Sequence, residues 1–254
     1  MRRLLNTALV TILVTTSATA CGMTGVTNQA KPARTVTITP ATPALSNMSA
    51  ANIRDKMISA INSAGSVHVT VHNRHGALSG TYSDDSLTDS GRQVITLSTG
   101  ARAEVLLINA VGYVEGNYKA LTNFFGFPAD TASKYAGKWI SFKQGQTGYQ
   151  QVTAGLTLSS VISELKVAAP LSKLPAAAAG GTPVVRIRGT APAASGAPAG
   201  TEQIIEIAAT GSPLPVSSEE KARGEAADVT FSSWGETPHL SAPVGAIPIS
   251  AVLG

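Results

Sequence analysis

The sequence is short of most features that announce catalysis or nucleic-acid binding. Cysteine occurs once, at Cys21, so the chain can form no internal disulfide and no paired-cysteine metal motif. Only 13% of residues are charged and 5% are aromatic. Lys and Arg never cluster among aromatics, which excludes the basic, stacking face that binds nucleic acid. No G-x-S-x-G elbow, H-E-x-x-H helix or P-loop is present, so the sequence disfavours an enzyme and implies no cofactor. No apolar run reaches the ~20 residues that a helix needs to cross a bilayer.

The N-terminus is different in kind. Arg2 and Arg3 precede a short apolar stretch, Leu4 to Val14, and then small residues from Ser17 to Ala20. That order predicts a signal peptide over residues 1–20. Ala18-Thr19-Ala20-Cys21-Gly22 resembles a bacterial lipobox, the motif at which a precursor is cut before a diacylglyceryl cysteine. The alternative is an ordinary secretory signal ending Ala-x-Ala, with Cys21 a bystander. Lipidation gives the lone thiol a reason to stand at the cleavage point. At ~0.8 kcal/mol per buried methylene, two or three acyl chains would hold the chain firmly to a membrane. The expected partner is therefore the membrane, through lipidated Cys21, on its extracytoplasmic face. Beyond the two signal arginines the charge is nearly balanced, 17 basic residues against 15 acidic.

Residues 21–48 read as the lipidated cysteine followed by a tether. Pro32, Pro40 and Pro43 stand among repeated threonines, with too few large apolar side chains to bury. The bias also suits O-linked sugars, although a plain solvated linker needs no further assumption. Residues 49–254 contain no second linker and are expected to form a single domain.

Within that domain, Ile53, Met57 and Ile61 fall on one helical stripe that ends near Gly65. Val67, Val69 and Val71 alternate with polar residues as a half-buried strand does. Leu78 to Tyr82 predicts a weaker strand, followed by a polar loop from Ser83 to Gly91. A meander follows: Val94 to Ser98, Arg102 to Ile108 and Val111 to Glu115, joined at Thr99-Gly100 and Asn109-Ala110. Residues 117–137 predict short helices, Lys138 to Phe142 a strand, and Leu158 to Val167 a helix. The remaining strands are Val184 to Arg188, Gln203 to Ala208 and Ala227 to Ser233. Ala176 to Gly181 and Ala191 to Gly200 read as long loops.

His68, His72 and His75 invite a metal reading. On an extended strand, however, His68 and His72 lie about 13 Å apart at ~3.3 Å per residue, so only His72 and His75 can converge across a turn. Asp84, Asp85 and Asp89 lack the glycine and distal glutamate of an EF-hand and read as a solvated loop. No metal site is expected.

The motifs Ala64-Gly65-Ser66-Val67-His68-Val69, Gly112-Tyr113-Val114, Ala136-Gly137-Lys138-Trp139-Ile140 and Phe231-Ser232-Ser233-Trp234-Gly235, in that order behind a lipobox, resemble the actinobacterial LppX/LprAFG lipoproteins. The resemblance implies an α+β fold shared with LolA: a curved antiparallel β-sheet, a half-barrel, with helices on the concave side. It also implies a non-enzymatic protein that binds or carries a lipid, glycolipid or other amphiphile between sheet and helices. An apolar wall repays acyl burial at ~25 cal/mol per Å² without a named polar partner. The expected wall residues are Val69, Val71, Ile95, Leu97, Val105, Leu107, Tyr113, Ile187 and Ile205, which equally suit an ordinary packed core. The competing reading is an envelope interaction lipoprotein of the same fold with a closed core and no cargo.

Overall fold

Ser49 and Gly65 set the limits of the first helix. The Ser49 hydroxyl accepts a hydrogen bond from the Asn52 N–H at 3.2 Å, and Gly65 takes φ 79°, a left-handed conformation that costs glycine little. Between them α1, Ala50–Ala64, buries Ile53, Met57 and Ile61 completely. Each contributes roughly 1.5–3 kcal/mol by leaving water. The computed structural model describes residues 44–74, 78–195, 197–222 and 225–253. Residues just before Ser49 pack on the domain: a short turn at Leu45–Asn47 buries Leu45 beside α1, and Lys173 Nζ donates to the Ser46 carbonyl.

The strands are β1 Ser66–Asn73, β2 Gly80–Leu87, β3 Gly91–Leu97, β4 Arg102–Ile108, β5 Val111–Gly116 and β6 Ile140–Lys143, then β7 Ala168–Ala179, β8 Thr182–Thr190, β9 Glu202–Ala208, β10 Pro215–Ala222, β11 Glu225–Ser232 and β12 Ile247–Pro248. They form one open sheet of 12 strands in the order β12-β6-β5-β4-β3-β2-β1-β11-β10-β9-β8-β7. Every pairing is antiparallel except β12 with β6. Two meanders, β1 to β6 and β7 to β11, therefore join through the β1–β11 pair. The remaining helices are α2 Tyr118–Asn123, α3 Ala129–Tyr135, α4 Tyr149–Thr153, α5 Leu158–Leu165 and α6 Ile249–Leu253.

Several expectations change. Residues 83–87 are strand rather than loop, and so are Ala176–Ala179, which complete the edge strand β7. The segment after Pro213 supplies a strand, β10, that its polar sequence did not suggest. The β4–β5 turn at Asn109-Ala110 has φ 51° and 59°, the backbone of a two-residue hairpin whose twist matches its strands.

The four family-like motifs meet in pairs. The Gly235 N–H donates to the Ser66 carbonyl at 3.1 Å, so the end of β11 is fastened to the start of β1. The Gly137 N–H likewise donates to the Gly116 carbonyl at 2.9 Å, just beyond the Gly112-Tyr113-Val114 strand.

Candidate functional site

Register places the functional face. One cross-strand row runs Ile187, Ile205, Ser218, Val229, Val71, Tyr82, Ile95, Ala103, Gly116, from β8 to β5. Because side chains alternate along each strand, this row and its neighbours two residues away define a single inner face, against which α1, α2, α4 and α5 pack. Val69, Val71, Ile95, Leu97, Val105, Leu107, Ile187 and Ile205 all lie on that face. Ile187 and Ile205 are fully buried, whereas Val71 is half-buried. Tyr113 does not join them: it is in register with Leu106 and Ser141 on the opposite face, one residue out of phase with Gly112 and Val114.

The apolar inner face is divided. One cluster gathers Ile95, Val105, Val114, Leu121, Ile140 and Phe142 under the short helices. The other gathers α1 and α5 with Val69, Ile187, Ile205, Ile207 and Phe231. Between and beside them stand polar side chains that point the same way: Asp84 and Ser86 on β2, Gln93 on β3, Gln203 on β9, and Ser218 and Glu220 on β10. Glu164 on α5 completes this belt. Gln203 ties it together, its Nε2 donating to the Glu164 carbonyl at 3.2 Å, to Ser218 Oγ at 3.1 Å and to Glu220 Oε1 at 3.4 Å.

Burial governs the acids. Desolvation pushes the Asp84 carboxyl up to about 7, against an opposing hydrogen bond from Gln93 and the positive field of His68, with Asp85 adding a smaller rise. Desolvation also raises Glu164 to about 7, reinforced by Asp84 and then Glu220. Glu220 is raised by desolvation and partly restored by a hydrogen bond from Ser195. Tyr82, next along the inner face from Asp84, is raised by burial as well. Sequence reading did not find this belt, since residues 83–87 of β2 read as a loop and β10 was not expected as a strand. The run Asp84-Asp85-Ser86 was the available signal.

The opposite face carries ordinary cross-strand ion pairs, Arg92 with Glu104 at 2.7 Å and Arg186 with Glu206 at 3.1 Å. It also brings together a serine, a histidine and an acid. His68 Nδ1 is 2.6 Å from Asp85 Oδ1 and its Nε2 is 3.4 Å from Ser83 Oγ. Acyl transfer needs N–H donors aimed at a developing oxyanion, and here Ser83 lies inside a strand whose neighbours on both sides are paired with it. The backbone groups that would form an oxyanion hole are engaged in the ladder, so the trio acts as a surface hydrogen-bond network.

His72 shares that outer face, 3.4 Å from Thr81 Oγ1, while His75 lies outside the described residues. Asp84 and Asp85 point to opposite faces, and Asp89 is exposed in the β2–β3 turn, so the three do not form a loop site. Among the described residues no three His, Cys, Asp or Glu side chains gather closely enough to hold a metal ion. A cleft of about 580 Å³ opens at the far ends of β1 to β3, lined by His72, Arg74, Thr81, Thr96, Ser98 and Asp228 among others, with Arg74 ion-paired to Asp228. It is polar, and of the nine expected wall residues only Leu97 touches it. Cys21 and the signal segment lie outside the described residues.

The architecture can be compared with solved structures. LprF from Mycobacterium bovis superposes with a TM-score of 0.51 at 17% identity, covering 77% of this chain and 97% of that one. The chain folds like LprF. The likeness takes in nearly all of LprF and is one of fold alone, given the low identity. The Mycobacterium tuberculosis lipoprotein LppX aligns over 76% of this chain and 98% of its own at 18% identity, with a TM-score of 0.49. No protein-family model matches the sequence, and comparison with curated proteins gives no match. The open sheet with helices on one face, expected from the family-like motifs, is thus the LprF architecture. No helix among the described residues is long and apolar enough to cross a membrane.

Proposed function

We propose that this protein is a membrane-anchored extracytoplasmic lipoprotein that carries a lipid or other amphiphile between its helices and the inner face of its sheet. One observation supports this above the others. The inner face presents two apolar clusters, one on β3 to β6 and one on β8, β9, β11 and β1, each covered by helices rather than by a second sheet, in the fold of LprF. Short helices on an open sheet can part from it without breaking the strand ladder, so acyl chains can replace helix side chains against the same wall. The exchange is close to even, because both bury apolar area at the same ~25 cal/mol per Å². Lipidated Cys21 would keep such a carrier beside the membrane that supplies its cargo.

A closed-core interaction lipoprotein is the second reading. The full burial of Ile53, Met57, Ile61 and Leu165 favours it, since these side chains already occupy the space beneath α1 and α5. Native mass spectrometry of the chain purified from a membrane-bearing host, together with uptake of a fluorescent acyl probe, separates the two. The carrier holds a stoichiometric lipid or takes up the probe. Reproducible absence of both would move the assignment to the closed core.

A further inference from the structure

The register brings the start of β2, the end of β3, the start of β4, the end of β5 and the start of β6 to one end of the sheet. Hydrogen bonds fasten α2 and α3 there. Asn117, the N-cap of α2, donates from Nδ2 to the Gly100 carbonyl at 2.9 Å and accepts from the Arg102 N–H at 3.2 Å. Lys119 Nζ donates to the Thr99 carbonyl at 2.9 Å, and the Gly137 N–H, just beyond α3, donates to the Gly116 carbonyl at 2.9 Å. The β3–β4 turn, the start of α2 and the end of α3 thus form one continuous lip.

Positive charge and apolar exposure coincide on this lip. Arg102, Lys119, Lys134 and Lys138 are exposed, and among the described residues none of them forms an ion pair. Lys134 and Lys138 both stand by the Tyr135 ring, 5.2 and 5.6 Å from its centroid, which keeps their charges close together. Two acids lie nearby: Asp130 at the start of α3, and Glu115 of β5 on the outer face opposite Glu104. The large hydrophobic side chains exposed among the described residues are Leu78, Tyr118, Val244 and Leu253, and each borders the lip. Tyr118, 46% exposed, precedes Lys119. Leu78 adjoins Ser79, whose carbonyl accepts from the Ser98 N–H at 2.8 Å, next to Thr99. Leu253 ends α6, where the Ala251 carbonyl accepts from the Tyr135 hydroxyl at 3.4 Å. Val244 shortly precedes Ile247, whose N–H donates to the Trp139 carbonyl at 2.8 Å beside Lys138. Exposed apolar side chains scattered singly are ordinary; gathered beside unpaired cations, they mark a surface that meets something.

We propose that this lip is where the folded body rests on a membrane, and that the surface it fits carries anionic phospholipid headgroups. The inference rests on the membrane-anchored reading above. Each basic residue held close to an anionic leaflet strengthens attachment roughly fivefold, and tyrosine and leucine beside it enter the boundary between headgroups and acyl chains. An acidic protein surface would match the charges yet offer no apolar layer behind them. A neutral lipid surface would take the apolar side chains and leave the charges unused. A few exposed side chains hold weakly, so retention at the membrane stays with Cys21 while the lip sets which way the body faces. That orientation has a consequence for cargo. Phe124, Phe125 and Phe127, half-buried between α2 and α3, pack on the β3–β6 cluster, so the helices that cover this apolar wall are the ones turned to the bilayer.

The test is co-sedimentation with vesicles of phosphatidylcholine, alone or with about a third phosphatidylglycerol. The protein is residues 21–254 carrying Cys21→Ser, so that neither the signal segment nor an acyl group contributes. Partition into the anionic vesicles is expected to exceed that into neutral ones about tenfold or more at low salt, and to fall as salt screens the charges. Lys119→Gln, Lys134→Gln and Lys138→Gln together lower it about tenfold or more, and Tyr118→Ser alone lowers it several-fold. Lys56→Gln, Lys143→Gln and Lys166→Gln remove the same charge from exposed positions on α1, at the far end of β6 and after α5, and leave binding unchanged. All these variants keep the parent melting temperature, because the substituted side chains are exposed. Equal partition into both kinds of vesicle overturns the anionic assignment. An equal loss in the two triple variants overturns the lip, since net charge alone would then account for binding. Binding to neither vesicle overturns the proposal and leaves the Cys21 anchor standing, which fatty-acid labelling tests separately.

Discussion

Gly91 opposes Ser86 and Leu107 on the inner face, and a Cβ at that position would lie 1.8 Å from the Leu156 carbonyl oxygen and 3.2 Å from that of Asp85. The contact is with backbone on both sides, so neither neighbour can swing away as a long side chain would. Leu156 stands just before α5, and the following residue, Thr157, bridges Leu87 of β2. The bare backbone at 91 therefore sets how closely α5 starts against the sheet. Gly91→Ala is expected to destabilise the fold by about 1–3 kcal/mol, the usual cost of overpacking, read as a lower urea midpoint with an unchanged slope. An unchanged midpoint would mean that the 154–158 segment yields freely and that α5 is not seated by this contact.

At the scale of elements, the acids of β2, α5 and β10 couple the seating of α5 to pH. Asp84 and Glu164 each lie near 7 in the folded chain, against ordinary values of 3.8 and 4.5. A raised folded value means that folding takes up protons. The stabilisation is complete below about pH 4 and is lost as pH rises toward 7, levelling off above it. The total loss is on the order of 2–4 kcal/mol, because the two groups share part of one interaction. Thermal melts of the unliganded chain should fall across this window, and the Asp84→Asn, Glu164→Gln double variant should flatten the curve; a wild-type melting temperature that climbs from pH 4 to 7 would contradict the burial of these groups. The same acids explain what the sequence concealed. α1 was legible because Ile53, Met57 and Ile61 repeat at helical spacing, and β1, β3, β4 and β5 because their inner positions are apolar. In β2 and β10 the inner positions hold Asp84, Ser86, Ser218 and Glu220, which erases the alternation by which a strand is recognised. Ala176–Ala179 was hidden for another reason: alanine has little β preference, and that edge is held by the ladder to β8. Local and global signals disagree here: residues 83–87 of β2, expected as a loop, and β10, not expected as a strand, hold four of the belt's polar side chains.

The whole molecule joins a folded body that begins at its buried Leu45 to a cysteine some two dozen positions earlier. Under the proposed anchoring, a coil-like linker of that length would span roughly 25–30 Å at ~5–6 Å times the square root of its length, comparable with the depth of a headgroup layer and its hydration. No helix of the body, among the described residues, is long and apolar enough to cross a bilayer. On the proposed anchoring, attachment depends on one sulfur atom, that of Cys21. Cys21→Ser is therefore expected to abolish incorporation of a labelled fatty acid and to move the protein from the membrane to the soluble extracytoplasmic fraction. Its melting temperature should be unchanged, because Cys21 precedes every buried residue of the body. If the serine variant remained with membranes and unlabelled, the link would be the protein's own surface; the exposed Tyr118 and Leu253 would then be the first side chains to test, and the tether would have no mechanical role. Loss of both label and attachment would leave the fold free to act as a carrier only where its lipid holds it, so that cargo transfer measured between vesicles should depend on Cys21 even though cargo binding does not.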